Sequence, residues 1–141
     1  MKPDIYPCLW FDGKALAAAE FYCSIFKNSI ITSSNPMVVM FELNGKKFMG
    51  LNGGPQFSPN KGVSFVIDCE TQAEIDYYWE KLTADGGQES NCGWLKDKFG
   101  VSWQIVPTIL PKLLNDPEKA QRVIAVFLGM KKFNIEALLS A

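Results

Sequence analysis

One order of elements runs through this chain twice, and that repetition limits the folds open to it more than any other feature. Residues Ile5 to Phe11 read as a strand, and Asp12-Gly13 ends it, with Asp12 placed to cap the next helix. From Lys14 to Phe26, Ala15, Ala18, Tyr22, Ile25 and Phe26 fall on one stripe at helical spacing. Ile30 to Thr32 reads as a short strand and Met37 to Leu43 as a clear one. The turn Asn44-Gly45 then predicts a hairpin into Lys46–Leu51. The order restarts with a strand over Val63–Asp68. Thr71 and Glu74 stand in capping-box spacing, and Ile75, Tyr78, Trp79 and Leu82 form a helical stripe. Trp94–Lys96 and Val101–Val106 read as two further strands. An offset of 56 carries Asp12 to Asp68, Phe21 to Tyr77, Tyr22 to Tyr78 and Phe26 to Leu82. One residue of slip then carries Gly45 to Gly100 and Phe48 to Trp103.

The predicted fold class is α+β: two tandem βαβββ modules, over about 3–56 and 61–108, forming one cup-shaped mixed sheet. A single such module buries its sheet face poorly, and two copies can cover each other. A helical tail over about 109–141 completes a single domain of 141 residues. In the tail, Asp116 is expected as a helix N-cap with Pro117 at the first helical position, and Val123, Val126, Phe127 and Met130 as the apolar stripe. The tail reads as a packing element or dimer contact, with a lid over a pocket as the alternative.

Composition excludes several chemistries. The chain has no histidine, which removes Ser-His-Asp and Cys-His nucleophile systems and the His-containing zinc sites. The four cysteines, Cys8, Cys23, Cys69 and Cys92, form no CxxC pair. Cys8, Cys23 and Cys69 are expected in the core, and Cys92, in a glycine-rich turn, is expected to be exposed. A net charge of −1 and a pI near 5.4 give no basic footprint for nucleic acid. No apolar run is long enough for a membrane span, and Met1-Lys2-Pro3-Asp4 opens no secretory signal, so a reducing cytoplasm is the expected location.

Several stretches carry a family resemblance. They are Pro7-Cys8-Leu9-Trp10-Phe11-Asp12-Gly13 with Phe21-Tyr22, Phe41-Glu42-Leu43-Asn44-Gly45, and Met49 through Asn52-Gly53-Gly54-Pro55. The most specific is Cys92-Gly93-Trp94-Leu95-Lys96-Asp97-Lys98-Phe99-Gly100-Val101-Ser102-Trp103-Gln104, and Asp116-Pro117-Glu118-Lys119-Ala120 adds to it. With them the chain resembles the PhnB-like branch of the vicinal oxygen chelate, or glyoxalase/bleomycin-resistance, superfamily. That branch is often labelled 3-demethylubiquinone-9 3-methyltransferase. The resemblance implies a homodimer, and it implies divalent-metal ligands on the first and last strands of each module. Those places fall on Pro7 or Cys8, on Met49, on Val63 or Ser64, and on Gln104. One neutral amide is a poor ligand set for a hard cation, so no metal and no cofactor are expected. Relatives' loop word Gly-Gly-Pro-His reads Gly53-Gly54-Pro55-Gln56 here. No glycine-rich nucleotide loop supports the methyltransferase label.

The pocket candidates are therefore Gln104, Gln56, Met49, Ser102, Trp10, Trp94, Cys8 and Ser64. Strand alternation sends Met49, Ser102 and Gln104 into the cup and Phe48 and Trp103 to the helix side. Trp10 and Trp94 line either the cup or a dimer interface. Asp97 reads as a solvated turn charge, and Glu42 as an exposed one. The functional reading is a metal-free cup that binds a small molecule. The alternatives are an enzyme using Cys92, Cys8 or Gln104 on a small hydrophobic or oxygen-rich substrate, and a structural dimer serving a partner protein.

Overall fold

A computed structural model describes residues 2–141. The chain divides into two compact units, Met1–Pro59 and Asn60–Ala141.

The first unit runs β1 (Cys8–Phe11), α1 (Ala15–Ile25), β2 (Ile30–Ser34), β3 (Val38–Leu43) and β4 (Lys46–Asn52). Its sheet has the order β1-β4-β3-β2, with β4 parallel to β1 and antiparallel to β3. Asn44 and Gly45 both take positive φ, 51° and 77°, and close the tight β3–β4 hairpin. Alternation then sorts β3: Val39, Phe41 and Leu43 are buried, while Val38, Met40 and Glu42 are half-buried on the opposite face. Against the buried face lies α1, presenting Ala15, Ala18, Ala19, Tyr22 and Ile25. Its alanines allow a close approach: a Cβ on Gly50 would stand 3.2 Å from that of Ala15. The Phe41 ring stacks on Phe48 at 5.5 Å and on Tyr22 at 6.2 Å. Asp12 does not cap this helix. The Ala15 N–H instead donates to Asn52 Oδ1 at 2.9 Å, so the cap comes from the end of β4, and Asn52 Nδ2 donates on to the Pro36 carbonyl.

The second unit repeats the order with β5 (Ser64–Cys69), α2 (Gln72–Thr83), β6 (Gln88–Glu89), β7 (Trp94–Lys96) and β8 (Ser102–Pro107), giving a sheet of order β5-β8-β7-β6. The Thr71–Glu74 capping box is formed as expected, and Ile75, Trp79 and Leu82 are buried. The two-residue β6 has no hydrophobic alternation and is invisible in the sequence.

The repeat is real, but its ruler is not a single offset. The Gly53 N–H donates to the Phe11 carbonyl, and Thr108 does the same to Cys69, so the first strands match at 58 and the last at 55. Buried helix positions match at 57: Ala18 with Ile75, Tyr22 with Trp79, and Ile25 with Leu82. The counterpart of Tyr22 is therefore Trp79 and not Tyr78. The counterpart of Cys8 is Val66 rather than Val63 or Ser64, since Cys8 pairs with Met49 and Val66 with Gln104.

Asp97 is no solvated charge. Only 2% exposed, its carboxylate accepts from the backbone N–H of Phe99 (2.8 Å) and Val101 (3.1 Å) and from Trp103 Nε1 (2.9 Å). It ties the β7–β8 turn to the core face of β8. The tail folds as α3 (Ile109–Leu114), α4 (Ala120–Phe127) and α5 (Ile135–Leu139). Asp116 Oδ1 accepts from the Glu118 N–H in a turn just ahead of α4, and Val123, Phe133 and Leu138 are buried. No helix among the described residues is long and apolar enough to cross a membrane.

Replacing Asp97 by Ala would strand a buried indole N–H and two backbone donors. It is expected to cost about 2–4 kcal/mol, read as a lower urea midpoint at unchanged slope. A loss below about 1 kcal/mol would show that the carboxylate does not hold the turn.

Candidate functional site

Each sheet has one face covered by its helix and one that is not, and the candidate residues sort onto the helix-free faces. In the second unit Trp103, Ile105 and Leu95 are buried on the helix side, which turns Ser102, Gln104 and Trp94 to the other. Trp94 and Gln104 are register partners, as are Ser64 and Ser102. Gln104 Nε2 donates to Ser64 Oγ at 2.9 Å. Ser102 is 1% exposed, and its hydroxyl is a buried side-chain polar atom without a hydrogen-bond partner among the described residues. Thus Ser64, Ser102, Gln104 and Trp94 come together on one face. Beside β6 and β7, a groove of about 180 Å³ is lined by Trp94, Ser90, Gln88, Lys61 and Lys96. The Glu89 carboxylate at its rim is held by Trp79 Nε1 at 2.6 Å.

Around Trp10 the helix-free face of the first unit is apolar, while Glu42 and Lys47 are register partners farther along it. Cys8 pairs in register with Met49, Met49 with Met40, and Trp10 with Leu51. Trp10 is fastened at both edges. Its Nε1 donates to the Gly54 carbonyl at 2.8 Å, and Phe57 meets its ring edge-on at 5.0 Å. Gly53 must be glycine, because a Cβ there would overlap the indole. Gln56 is exposed in the same loop, with Oε1 close to Gly54. Phe57 is not among the sequence candidates. Its only signal is its place directly after Gly53-Gly54-Pro55-Gln56.

The thiols do not fall as the sequence suggests. Cys8 is exposed rather than in the core, and Cys92 is half-buried with its Sγ donating to the Phe127 carbonyl at 3.8 Å. Cys23 is half-buried, and only Cys69 is buried. Burial, with the charges of Glu74 and Asp68, pushes the Cys69 thiol up to about 12, and partial burial also raises Cys8 and Cys23.

The metal positions implied by the resemblance now read Cys8, Met49, Val66 and Gln104, with Ser64 hydrogen-bonded to Gln104. A thiol, a thioether, a hydrocarbon and an amide do not suit a hard divalent cation. Among the described residues no three Cys, Asp or Glu side chains are grouped so as to hold a metal ion.

Known proteins match this architecture. The PhnB protein from Bacillus cereus is 32% identical, with a TM-score of 0.68 over 75% of this chain and 100% of that one. A glyoxalase-related enzyme from Fulvimarina pelagi is 19% identical, with a TM-score of 0.58 over 78% and 91% of the two chains. The fosfomycin resistance protein FosX from Listeria monocytogenes, solved with Mn(II) and sulfate, is 14% identical at a TM-score of 0.59, over 80% and 96%. No curated protein matches the chain. The fold is that of the glyoxalase/bleomycin-resistance proteins, in the vicinal oxygen chelate superfamily. Residues 3–106 match the family model described as 3-demethylubiquinone-9 3-methyltransferase, and the chain belongs to that family, in its PhnB-like branch.

Gly53→Ala is expected to push the Trp10 indole off the Gly54 carbonyl at a cost of about 1–3 kcal/mol, seen as a lower melting temperature with altered tryptophan emission. With a thiol reagent at pH 8, Cys8 should react first and Cys69 only on unfolding. Because burial raises the Cys8 pKa above its ordinary 9.0, thiolate is scarcer at any given pH, and the Cys8 rate should still be climbing past pH 9. Rapid labelling of Cys69 in the folded protein would contradict this.

Proposed function

We propose that the chain binds a small uncharged molecule on the helix-free face of its second sheet, without a metal. What supports this reading best is the Gln104–Ser64 hydrogen bond. An amide in the middle of a strand, half-buried and facing away from the core, needs a hydrogen-bond partner, and Ser64 takes only one of its donors. The amide and the hydroxyl can each give or take a further hydrogen bond, and the neighbouring Trp94 offers a flat apolar surface. Together they suit a planar ligand bearing a carbonyl or amide group. The family's description speaks of methyl transfer. The sheets here are mixed and four-stranded, and neither Gly53-Gly54 nor Gly86-Gly87 leads from a strand into a helix, so this reading includes binding and no methyl transfer. A homodimer, which the family resemblance implies, is part of the same proposal.

The test is a thermal-shift panel of uncharged aromatic amides and lactams on untagged protein. A ligand at one hundred times its dissociation constant should add about 2.7 kcal/mol of stability. Gln104→Ala should keep the fold and lose most of that shift. A panel that shifts nothing, or an equal shift in Gln104→Ala, would overturn the reading.

A further inference from the structure

The turn that leads into Trp94 is backbone-strained and is held from outside. Cys92 and Gly93 both sit at positive φ, 59° and 81°, and for a cysteine that conformation is unfavourable. The C-terminal segment between α4 and α5 supplies the restraint. The Cys92 N–H donates to the Met130 carbonyl and the Gly93 N–H to that of Lys131, each at 2.8 Å. The Phe133 ring lies where a Cβ on Gly93 would project, so this turn accepts only glycine there. The Gly93 carbonyl then accepts from the Ile105 N–H at 2.8 Å, next to Gln104.

The segment is in turn fastened to α2. Gln72 Nε2 donates to the Phe133 carbonyl at 2.9 Å, and Gln72 Oε1 accepts from the Ile135 N–H at 2.8 Å. Lys132 pairs with Asp76 at 2.8 Å, and Phe133 is 2% exposed. The segment lies wholly beyond residue 106, where the family-model match ends.

We infer that the C-terminal segment is a strap that sets the position of Trp94 beside Gln104, with Gln72 as the positioning residue that fastens it. The inference rests on the binding reading only for what Trp94 is used for. Gln72 acts at a distance from Trp94 and Gln104. Its effect runs through Phe133 and Ile135 to the strap, and from the strap carbonyls to the Cys92–Gly93 turn.

The experiment is amide hydrogen exchange on the full chain, comparing wild type with Gln72→Ala and Gln72→Glu, and needs no ligand. Gln72→Ala removes both fastening bonds. Exchange at Cys92 and Gly93 should accelerate by about tenfold or more, while the amides of the β5–β8 ladder keep their wild-type rates. Gln72 Nε2 also donates to Asp76 Oδ1 at 3.0 Å, so Gln72→Glu keeps the acceptor for Ile135 but sets a carboxylate oxygen against Asp76 and the Phe133 carbonyl, and its acceleration should be at least that of Gln72→Ala. The Trp94 indole N–H resonance should move in both variants, and that of Trp10, in the first unit, should not. Unchanged exchange at Cys92 and Gly93 in both variants would overturn the inference. So would an equal acceleration throughout the second unit, which would mean a general loss of stability. If the strap result holds and the ligand panel fails, the binding reading falls and the strap stands.

Discussion

Each unit depends on one event, the insertion of its last strand between the first strand and the strand that precedes it in the chain. β4 pairs in parallel with β1 and antiparallel with β3, and β8 does the same between β5 and β7. The parallel contact joins residues far apart in sequence and requires the helix as a crossover. Once the strand is in place, its two faces are assigned residue by residue. Phe48 and Trp103 go to the helix, and Met49 and Gln104 go to the other side. Asn52, at the end of the inserted strand, then caps the helix it packs beneath.

The two helix-free faces have different chemistry. The first offers sulfur and hydrocarbon around a tethered indole. The second offers an amide and hydroxyls, one of them fully buried and without a partner among the described residues. The superfamily resemblance puts metal chemistry at the positions of Met49 and Gln104, and a thioether with a single neutral amide is a poor ligand set for a hard cation. The polar pair that remains is suited to recognition by hydrogen bonding.

The architecture is legible in the sequence because it rests on strong local signals: the Asn44-Gly45 turn, the Thr71–Glu74 capping box and the alternation in Val38–Leu43. The features that are not legible depend on groups that meet only in three dimensions. Asp97 reads as an exposed turn charge because its neighbours are lysines, yet three donors converge on it only when β8 brings Trp103 alongside. Asp12 is a reasonable cap by local rules, but Asn52 arrives from the far end of the unit and takes that role. The exposures of Cys8 and Cys92 are inverted for the same reason. Cys8 lies at a sheet edge, and Cys92 meets the end of α4 and the strap after it, 35 or more residues downstream. The repeat is visible, but its true offset drifts across the unit, and sequence similarity alone favours matching Tyr22 with Tyr78 over the buried Trp79.

That drift also shapes the outer strands. Between first and last strands the second unit is three residues shorter than the first, and the shortening coincides with an outermost strand of two residues, Gln88–Glu89, where the first unit has five, Ile30–Ser34. A rim that short offers almost no backbone for another chain to zip onto. The longer rim of the first unit is interrupted by a bulge at Thr32 and is rich in Ser and Thr. At these two rims, self-association by strand addition is therefore opposed by different means, by length in one unit and by irregularity in the other.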